Sequence, residues 1–245
     1  MAVVSDASFT SGEGALVVVP TYNEADNVEP LVAAVRAAAP SASVLVVDDD
    51  SPDGTWRTVE RLAAADPRVH VLRRRGRRGL GSAYVDGFRW GLERRYGAFV
   101  GMDADFSHDP ALLPLFFGAL GRGADVVVGS RNVAGGGVRG WGPGRLALSK
   151  GGSAYARAIL GVPVRDLTTG YKAFSGRALE AIGLESLRSN GFAFQIETTY
   201  RALRRGLRVV EVPIVFVDRR SGKSKMSGAI FAEAVVGVWR MRFDR

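Results

Sequence analysis

Two carboxylates, one residue apart, follow an apolar run near the middle of the chain. Asp103 and Asp105 come at and just beyond the end of residues 98–102, which have the composition of a buried strand. Side chains two residues apart on a strand point to the same side, so this pair can hold a hard divalent cation against a diphosphate. Aspartate also favours solvated turns for backbone reasons. The spacing alone leaves both interpretations open.

Polar groups also follow two earlier apolar runs. Residues 15–19 lead into the segment 20–24, and residues 44–47 lead into the acidic segment 48–55. Parallel strands bring their carboxyl ends to one edge of a sheet, and ligands bind at that edge. Polar groups after three strands therefore favour a binding site over three unrelated turns.

Individual side chains in these segments have different expected roles. We assign Asp49 to a ligand, because a carboxylate after the second strand suits hydrogen bonding to a base or ribose. Tyr22 offers an aromatic face for stacking or packing. For Asp53 we favour an Asx turn that leads into a helix cap.

The alternation of apolar runs and helical patterns predicts a mostly parallel, open α/β sheet covered by helices on both faces. The predicted strands are residues 15–19, 44–47, 69–72, 98–102 and 126–128, with a strand or hairpin arm at 207–217. Helices are predicted to begin near Asp26, Thr55, Gly79 and Asp109, and to span 146–160, 178–184 and 194–205.

Three segments fall outside this alternation. Residues 1–14 are rich in Ser, Asp and Gly, so we expect a disordered tail before a single domain at 15–227. Residues 129–149 are expected to form a long glycine-rich loop. Residues 228–245 predict an amphipathic helix that either lies at a membrane interface or packs onto the domain. Its apolar side would carry Ile230, Phe231, Val235, Val238 and Trp239.

Composition limits the class of protein. The 245 residues are 47% apolar, enough for a full core, and they include no cysteine, which excludes disulfides and is compatible with a reducing cytoplasmic compartment. No signal peptide is recognisable, and no stretch approaches the roughly 18 apolar residues of a membrane span. We therefore expect a soluble or peripheral protein. The formal charge of +8 suggests an anionic partner: nucleic acid, a membrane surface or a phosphorylated substrate.

A cationic run precedes the third helical segment. Residues 79–83 have the glycine spacing of a dinucleotide fingerprint, but they follow residues 73–78 instead of a strand, and that removes the context the motif requires. We interpret them as a glycine turn that opens a helix, with Arg77 or Arg78 near a nucleotide. Residues 73–75 are expected to be a solvated surface.

Taken in order, these segments resemble the family 2 glycosyltransferases, and over a longer stretch the polyprenyl-phosphate (dolichol-phosphate) mannose synthases. The resemblance covers residues 15–230 and rests on an ordered set of motifs. They lie at residues 18–24, 48–55, 79–84, 102–108, 129–131, 191–197 and 222–226. The fold implied is a single GT-A-type nucleotide-diphospho-sugar transferase domain.

The resemblance implies roles for individual positions on the donor side. The nucleoside pocket would be lined by Pro20, Tyr22, Glu24, Val47 and Asp49. Asp103, Ala104 and Asp105 would hold Mg²⁺ or Mn²⁺ and the diphosphate, with Asp105 as the principal ligand. Ser107 stands where the family often has Gln, so a third protein ligand there is in doubt and contact through water is the alternative.

The resemblance also implies cationic contacts to the donor and acceptor phosphates. The positions are Arg131, Arg145, Ser149, Arg219 and Lys225, of which Arg131, Arg145 and Ser149 would hold the acceptor phosphate. Two phosphates roughly 5 Å apart in a low-dielectric cleft repel by several kcal/mol unless cations intervene. Arg139 is either solvent-exposed or part of this set, and Trp141 either packs the loop or touches lipid.

The remaining polar residues have supporting roles. His70 is expected to be structural, and His108 is expected to shape the turn after the acidic pair. Glu197 either orients the acceptor, positions an arginine or is structural. On the resemblance, Asp166 would support the acceptor site. No general base is required, because a phosphate acceptor is already an anion.

The sequence-based expectation is a metal-dependent inverting transfer of mannose from GDP-mannose to a polyprenyl phosphate at the cytoplasmic, anionic membrane surface. The UDP-glucose-dependent reaction is the nearest alternative. A nucleic-acid-binding module is a remote one, because the strand-end carboxylates would repel a phosphate backbone. Residues 219–226 are expected to form a mobile loop, and a membrane-anchoring partner subunit is left open.

Overall fold

A computed structural model describes residues 12–187, 189, 191–218 and 228–243, with only the backbone described at 192 and 228–235. Its main feature is a seven-stranded sheet of order β3-β2-β1-β4-β7-β5-β8. Strand β7 runs antiparallel to both of its neighbours, and all the other pairs are parallel. The strands are β1 Ala15–Thr21, β2 Ser43–Asp48, β3 Val69–Arg73, β4 Ala98–Gly101, β5 Val126–Ser130, β6 Gly137–Arg139, β7 Lys172–Ser175, β8 Val209–Pro213 and β9 Val215–Val217.

Helices cover both faces of this sheet. They are α1 Ala25–Ala38, α2 Thr55–Ala65, α3 Leu80–Glu93, α4 Leu113–Gly121, α5 Pro143–Leu160, α6 Gly176–Ile182, α7 Gly191–Arg204 and α8 Gly228–Phe243, with 3₁₀ turns at Pro110–Leu112 and Leu184–Ser186. The side chain of Asp109 accepts a hydrogen bond from the Ala111 amide (2.9 Å), so Asp109 caps the helical segment that was predicted to begin near it.

Alternation along β1 explains the two-sided core. Val17 and Val19 pack with α1, α2 and α4 on one face, whereas Leu16 and Val18 pack with helices on the other face. All four side chains are fully buried. A strand buried on both faces carries no polar positions, and this is why residues 15–19 are continuously apolar. The predicted sheet, mostly parallel and covered on both faces, is confirmed.

Strand β7 was not predicted. Lys172–Ser175 inserts antiparallel between β4 and β5, with Ala173 paired to both Val100 and Val127. Its four residues include a lysine and a serine, a composition that gives no strand signal by itself. Its place in the centre of the sheet is decided by pairing with residues distant in the chain.

The predicted glycine-rich loop at 129–149 is wrong in extent. Strand β5 continues to Ser130, β6 occupies Gly137–Arg139, and α5 begins at Pro143. Proline suits the first turn of a helix because its missing N–H has no partner to lose there. Gly136 is needed in the remaining loop, since a Cβ there would lie 2.4 Å from the carbonyl oxygen of Ser130.

The arm predicted at 207–217 consists of two strands in different sheets. Strand β8 pairs parallel with β5 in the main sheet, and β9 pairs parallel with β6 in a separate two-stranded sheet.

The last residues of the predicted N-terminal tail, 12–14, are described in the structure. Gly12 is buried, and its carbonyl accepts a hydrogen bond from the Ala15 amide (3.0 Å). The rest of that tail, 1–11, lies outside the described residues.

The predicted apolar side of the C-terminal helix is divided in the structure. Val238 and Met241 are buried against the domain, whereas Val236, Trp239 and Phe243 are exposed. The buried side chains favour packing of this helix onto the domain, and the exposed ones favour a membrane interface. The predicted side chains Ile230, Phe231 and Val235 lie outside the described ones. Across the part of the chain that the structure describes, no helix has the length and apolar character needed to cross a bilayer.

Candidate active site

Loops at three strand ends carry non-glycine residues in the left-handed backbone region. Asn23 follows β1 (φ 59°), Asp50 follows β2 (φ 56°) and Phe106 follows β4 (φ 60°). Such a conformation costs on the order of 1–3 kcal/mol, and it concentrates at functional sites where the surrounding structure imposes it. These three loops lie at the carboxyl ends of adjacent strands, because the strand order is β2-β1-β4. The expected edge of the sheet thus carries three of the four such residues among those described, and the fourth, Arg95 (φ 62°), precedes β4.

The acidic loop after β4 is held by its own hydrogen bonds. The Asp103 amide donates to Nδ1 of His108 (3.0 Å), and the Tyr84 hydroxyl donates to the Asp103 carboxylate (3.3 Å). The side chain of Asp103 is 37% exposed, whereas Asp105 is buried and accepts from the Ser107 amide (3.1 Å). His108 therefore shapes this turn, as predicted.

Two ionisable groups beside the loop keep their neutral forms. Burial first, and then the charge of Arg131, lowers the pKa of His108, although Asp103 acts to raise it. Burial, together with the charge and hydrogen bond of Asp103, raises the pKa of Tyr84. The negative charge of this loop therefore belongs to its carboxylates.

The donor set of the loop fits a divalent cation shared with a diphosphate. No cluster of three or more His, Cys, Asp or Glu side chains suited to a metal is present within the described ranges. Mg²⁺ sites in proteins need only one or two carboxylates when phosphates of the substrate complete the coordination. The Oγ of Ser107 is buried and finds no hydrogen-bond partner among the described residues, which is a feature expected beside an absent ligand or water. Ala104, between the two acids, is also buried.

In the loop after β2, the Asp49 carboxylate that was assigned to a ligand already has protein partners. It accepts hydrogen bonds from Nε of Arg74 (2.7 Å) and from the Gly79 amide (2.9 Å), and the residue is nearly buried. Arg74 also contacts Asp86 at 3.0 Å. Asp49 therefore joins β2 to the start of α3 and is not an open, unpaired carboxylate.

Arg74 also corrects the prediction that residues 73–75 are a solvated surface. Its side chain is 2% exposed, Arg73 lies over the Trp56 ring at 3.6 Å, and only Arg75 is exposed. Parallel pairing of Asp48 with Arg73 puts the next residue of each strand, Asp49 and Arg74, side by side. The ion pair between Asp49 and Arg74 therefore follows from the register of β2 and β3.

The other predicted nucleoside contacts are spread over this edge. Arg78 lies over the Tyr22 ring at 4.4 Å, whereas Arg77 is exposed and pairs with Asp86. Pro20 and Glu24 are partly buried at the end of β1 and the start of α1. The Val47 side chain is fully buried in the core, so the structure does not place it on the surface of a pocket.

Asp53 is a capping residue, as predicted. Its carboxylate accepts hydrogen bonds from the Ala25 amide (3.0 Å) and from the amide and hydroxyl of Thr55 (3.0 and 2.6 Å). Partial burial acts to raise the pKa of Asp53, but these hydrogen bonds outweigh burial and lower it. Asp53 therefore joins the first turns of α1 and α2.

Arg131 forms a buried two-pronged ion pair with Asp166. Its Nε and Nη2 donate to the two carboxylate oxygens at 2.7 Å each, and its backbone amide donates at 2.9 Å. The side chains are 8% and 0% exposed. Burial acts to raise the pKa of Asp166, but the hydrogen bonds and charge of Arg131 outweigh burial and lower it. Asp166 thus fixes the orientation of the guanidinium that the sequence assigned to the phosphates.

The other predicted acceptor contacts lie on α5. Arg145 pairs with Asp218 (2.9 Å) and lies over the Trp141 ring at 4.2 Å, and Ser149 follows one turn later. Trp141 packs against Phe216 with ring centroids 5.1 Å apart, which supports its packing role. The remaining predicted contacts, Arg219 and Lys225, lie outside the described residues, as does the loop predicted at 219–226.

Three further predicted residues have local partners. Glu197 pairs with Arg201 (2.6 Å) and accepts from the Ser189 amide (2.9 Å), so it positions an arginine. His70 packs against Trp90 with ring centroids 4.9 Å apart and has a structural role. Arg139 is exposed.

Sequence reasoning missed a buried lysine behind the site. The Lys172 ammonium donates to the backbone carbonyl of Gln195, and burial lowers its pKa to about 7. A Cβ at Gly170 would lie 3.6 Å from both Asp103 Oδ1 and Gln195 Nε2. Gln195 is therefore close to the acidic loop. A helix at 194–205 was predicted, but no pattern in the sequence indicated that its first turn lies beside Asp103.

Comparison with solved structures concerns the fold. Glucosyl-3-phosphoglycerate synthase from Mycobacterium tuberculosis, in complex with Mn²⁺, UDP and phosphoglyceric acid, superimposes with a TM-score of 0.69 at 20% identity. The match covers 98% of this chain and 82% of that one. A second complex of that enzyme, with Mn²⁺, UDP-glucose and phosphoglyceric acid, gives 0.70 at 19% identity, over 99% and 84%. The GT-A-type fold is confirmed.

Comparison with characterised proteins concerns the family. An undecaprenyl-phosphate mannosyltransferase from Micrococcus luteus is 50% identical over 225 residues, 92% of each chain. A polyprenol monophosphomannose synthase from Mycolicibacterium smegmatis is 49% identical over 235 residues, 94% of this chain and 89% of the other. A dolichol-phosphate mannosyltransferase from Pyrococcus furiosus is 35% identical over 229 residues, 92% of this chain and 62% of the other. The model of glycosyl transferase family 2 matches residues 16–183, and the chain belongs to that family.

Proposed function

We propose that the protein transfers mannose from GDP-mannose to a polyprenyl phosphate, with inversion at the anomeric carbon, to give a β-linked polyprenyl phosphate mannose. The observation that carries this proposal is the 50% identity, over 92% of both chains, to an undecaprenyl-phosphate mannosyltransferase. The strand-end site supports it, because carboxylates and a buried arginine lie where a nucleotide sugar would bind.

The donor lies along the ends of β1, β2 and β4. Tyr22 and Arg78 offer a stacked face for the nucleoside, and Asp103 and Asp105 are the residues that would hold Mg²⁺ or Mn²⁺ with the diphosphate. A divalent ion bound there would supply positive charge to the departing nucleoside diphosphate. His108 and Tyr84 keep the Asp103 side of the loop in position before the donor arrives.

The acceptor phosphate approaches from the side of Arg131 and α5. Arg131, Arg145 and Ser149 hold it, and Arg219 and Lys225 add positive charge between the two substrates. The acceptor oxygen is already anionic, so it displaces the nucleoside diphosphate without a general base. Arg131 is pre-oriented by Asp166, and pre-oriented charge lowers the reorganisation cost of the transition state. Direct displacement inverts the anomeric carbon.

We place the protein on the cytoplasmic face of a membrane with anionic headgroups. A polyprenyl chain is too long for a cleft of this size and stays in the bilayer. On α8, Trp239 and Phe243 stack on each other and are exposed, with Arg240 and Arg242 beside them. Exposed aromatic rings next to arginines suit the boundary between headgroups and acyl chains. A membrane-anchoring partner subunit is compatible with this placement, and no nucleic acid is required.

A donor competition assay tests the proposal. Purified protein is given a short polyprenyl phosphate with either GDP-mannose or UDP-glucose, in magnesium, in manganese and in excess chelator. We expect product from GDP-mannose that chelator abolishes. Loss of transfer in Asp105→Ala but not in Glu60→Ala, an exposed carboxylate of α2, ties activity to the acidic loop. Preference for UDP-glucose would overturn the assignment of mannose as the sugar. Full activity in chelator would overturn the proposed metal dependence.

A further inference from the structure

A cavity of about 570 Å³ lies beside α5. Its lining residues are Arg131, Asn132, Val133, Gly136, Lys150, Ala154, Arg157 and Arg165. Four of these eight carry a positive charge and none is acidic. We call this cavity the cationic pocket.

Three of the four charges of the cationic pocket lack a protein counter-ion among the described residues. Arg131 is paired with Asp166, but Lys150, Arg157 and Arg165 form no ion pair with any acid among the described residues. The nearby Glu211 carboxylate accepts hydrogen bonds from the backbone amides of Arg165 and Asp166. Positive side chains gathered around one cavity repel each other unless an anion enters it.

Arg157, which lines the pocket, also has a buried donor without a partner. The Nε of Arg157 is inaccessible to solvent and makes no hydrogen bond within the described part of the chain. A buried N–H that lacks an acceptor is costly, and a native protein usually satisfies it with a ligand, ion or water. This observation is independent of the charge count, and an anion toward which the Arg157 side chain turns would supply the acceptor that Nε lacks.

The cationic pocket differs from the acceptor site proposed above. Successive residues of an α-helix are rotated by about 100°, so Arg145 and Ser149, four apart, lie on one face of α5. Lys150 and Arg157 are rotated from Ser149 by roughly 100° and 80° and share a different face. Only Arg131 belongs to both sites, and its guanidinium is already held by Asp166.

We propose that the cationic pocket binds a phosphate group distinct from those of donor and acceptor. Arginine forks and a lysine match the oxygens of a phosphate monoester or diester, through charge-assisted hydrogen bonds. A free phosphate and the headgroup of an anionic lipid share this chemistry. The proposal does not depend on which sugar nucleotide the active site uses.

Titration of isotope-labelled protein with inorganic phosphate tests whether the pocket binds free phosphate. Asn132 and Gly136 line the pocket, so their backbone amides report binding locally by heteronuclear NMR. We expect saturable shifts at both amides, and an affinity reduced about 5- to 10-fold in Lys150→Gln and in Arg165→Gln, for loss of one charge-assisted contact each. Both side chains are exposed, so neither variant threatens the fold. The Arg205→Gln variant, which changes an exposed arginine just after α7, should bind as the wild type does.

Lipid vesicles test whether the pocket binds the headgroup of an anionic lipid. Co-sedimentation with phosphatidylcholine vesicles, with and without phosphatidylglycerol, is measured for the same variants. Binding to the anionic vesicles that falls in the two pocket variants but not in Arg205→Gln supports a headgroup as the source. The proposal is overturned if neither phosphate nor anionic vesicles give a saturable response, or if the pocket variants and Arg205→Gln respond alike.

Discussion

Replacing Asp166 by asparagine should strongly destabilise the protein, because it leaves Arg131 as an unpaired buried charge. The carboxylate is 0% exposed and receives the amide, Nε and Nη2 of Arg131 at 2.9, 2.7 and 2.7 Å. Asparagine keeps the shape, but it loses the charge and brings an amide group toward a cation. Breaking one side of a buried pair costs about 3–5 kcal/mol. The free energy of unfolding should fall by that amount.

An exposed ion pair provides the matched control. Arg61 contacts Glu29 at 2.6 Å, a distance similar to that in the buried pair, but the two side chains are 62% and 50% exposed. Glu29→Gln should therefore cost only about 0–1 kcal/mol. For a chain of this size, 1 kcal/mol lowers Tm by about 2–4 °C, so Asp166→Asn should melt roughly 6–20 °C lower. Calorimetry and urea denaturation both measure this difference.

The pH dependence gives a second test of the same pair. The pKa of Asp166 is lowered in the folded state, so its stabilisation is complete above the ordinary carboxyl pKa of about 4. It is lost as pH falls through the folded-state pKa. The stability gap between wild type and Asp166→Asn should therefore narrow as pH falls below the ordinary carboxyl pKa. A loss no larger than that of Glu29→Gln, or a gap that widens in acid, would refute the reasoning.

Three further predictions concern single residues. Asp105→Ala should abolish transfer with an unchanged circular dichroism spectrum, and near-normal turnover would contradict the role of the acidic loop. Arg131→Lys should lower kcat by about tenfold with little effect on donor KM, because one ammonium cannot replace the guanidinium fork. Steady-state kinetics measure both constants, and an unchanged kcat would reject this role of Arg131. The folded pKa of Lys172 is about 7, below its ordinary value of 10.5, so the unfolded chain binds the extra proton between these values and stability rises with pH. Between pH 7 and 10, the free energy of unfolding measured in urea should rise by up to about 1.4 kcal/mol per pH unit, and this rise should be absent in Lys172→Met. Equal slopes in the two proteins would disprove the lowered pKa of Lys172.

Much of the fold could be predicted from local patterns. Residues 15–19 and 44–47 are buried on both sides of the sheet, and continuous β-branched runs record that burial directly. The helix Thr55–Ala65 begins at the predicted residue. The capping role of Asp53 was also predictable, because its partner Thr55 is two residues away.

The fate of residues 129–149 shows where local patterns fail. A glycine-rich composition predicts a loop, but β6 forms only because β9 pairs with it from more than seventy residues later. Strand β7 likewise depends on partners in β4 and β5. Pairing between distant segments leaves little trace in the composition of either segment, particularly when a strand is short.

By itself, the sequence determined that carboxylates follow three strands, because strand ends and turns are set by neighbours in the chain. Only the tertiary structure decided which charges those carboxylates meet. Asp49 meets Arg74, and Arg131 meets Asp166, across 25 and 35 residues of chain. A charge acts through space and not along the chain, and burial strengthens each interaction by excluding water. The electrostatics of the site could therefore be assigned only after the sheet had brought these residues together.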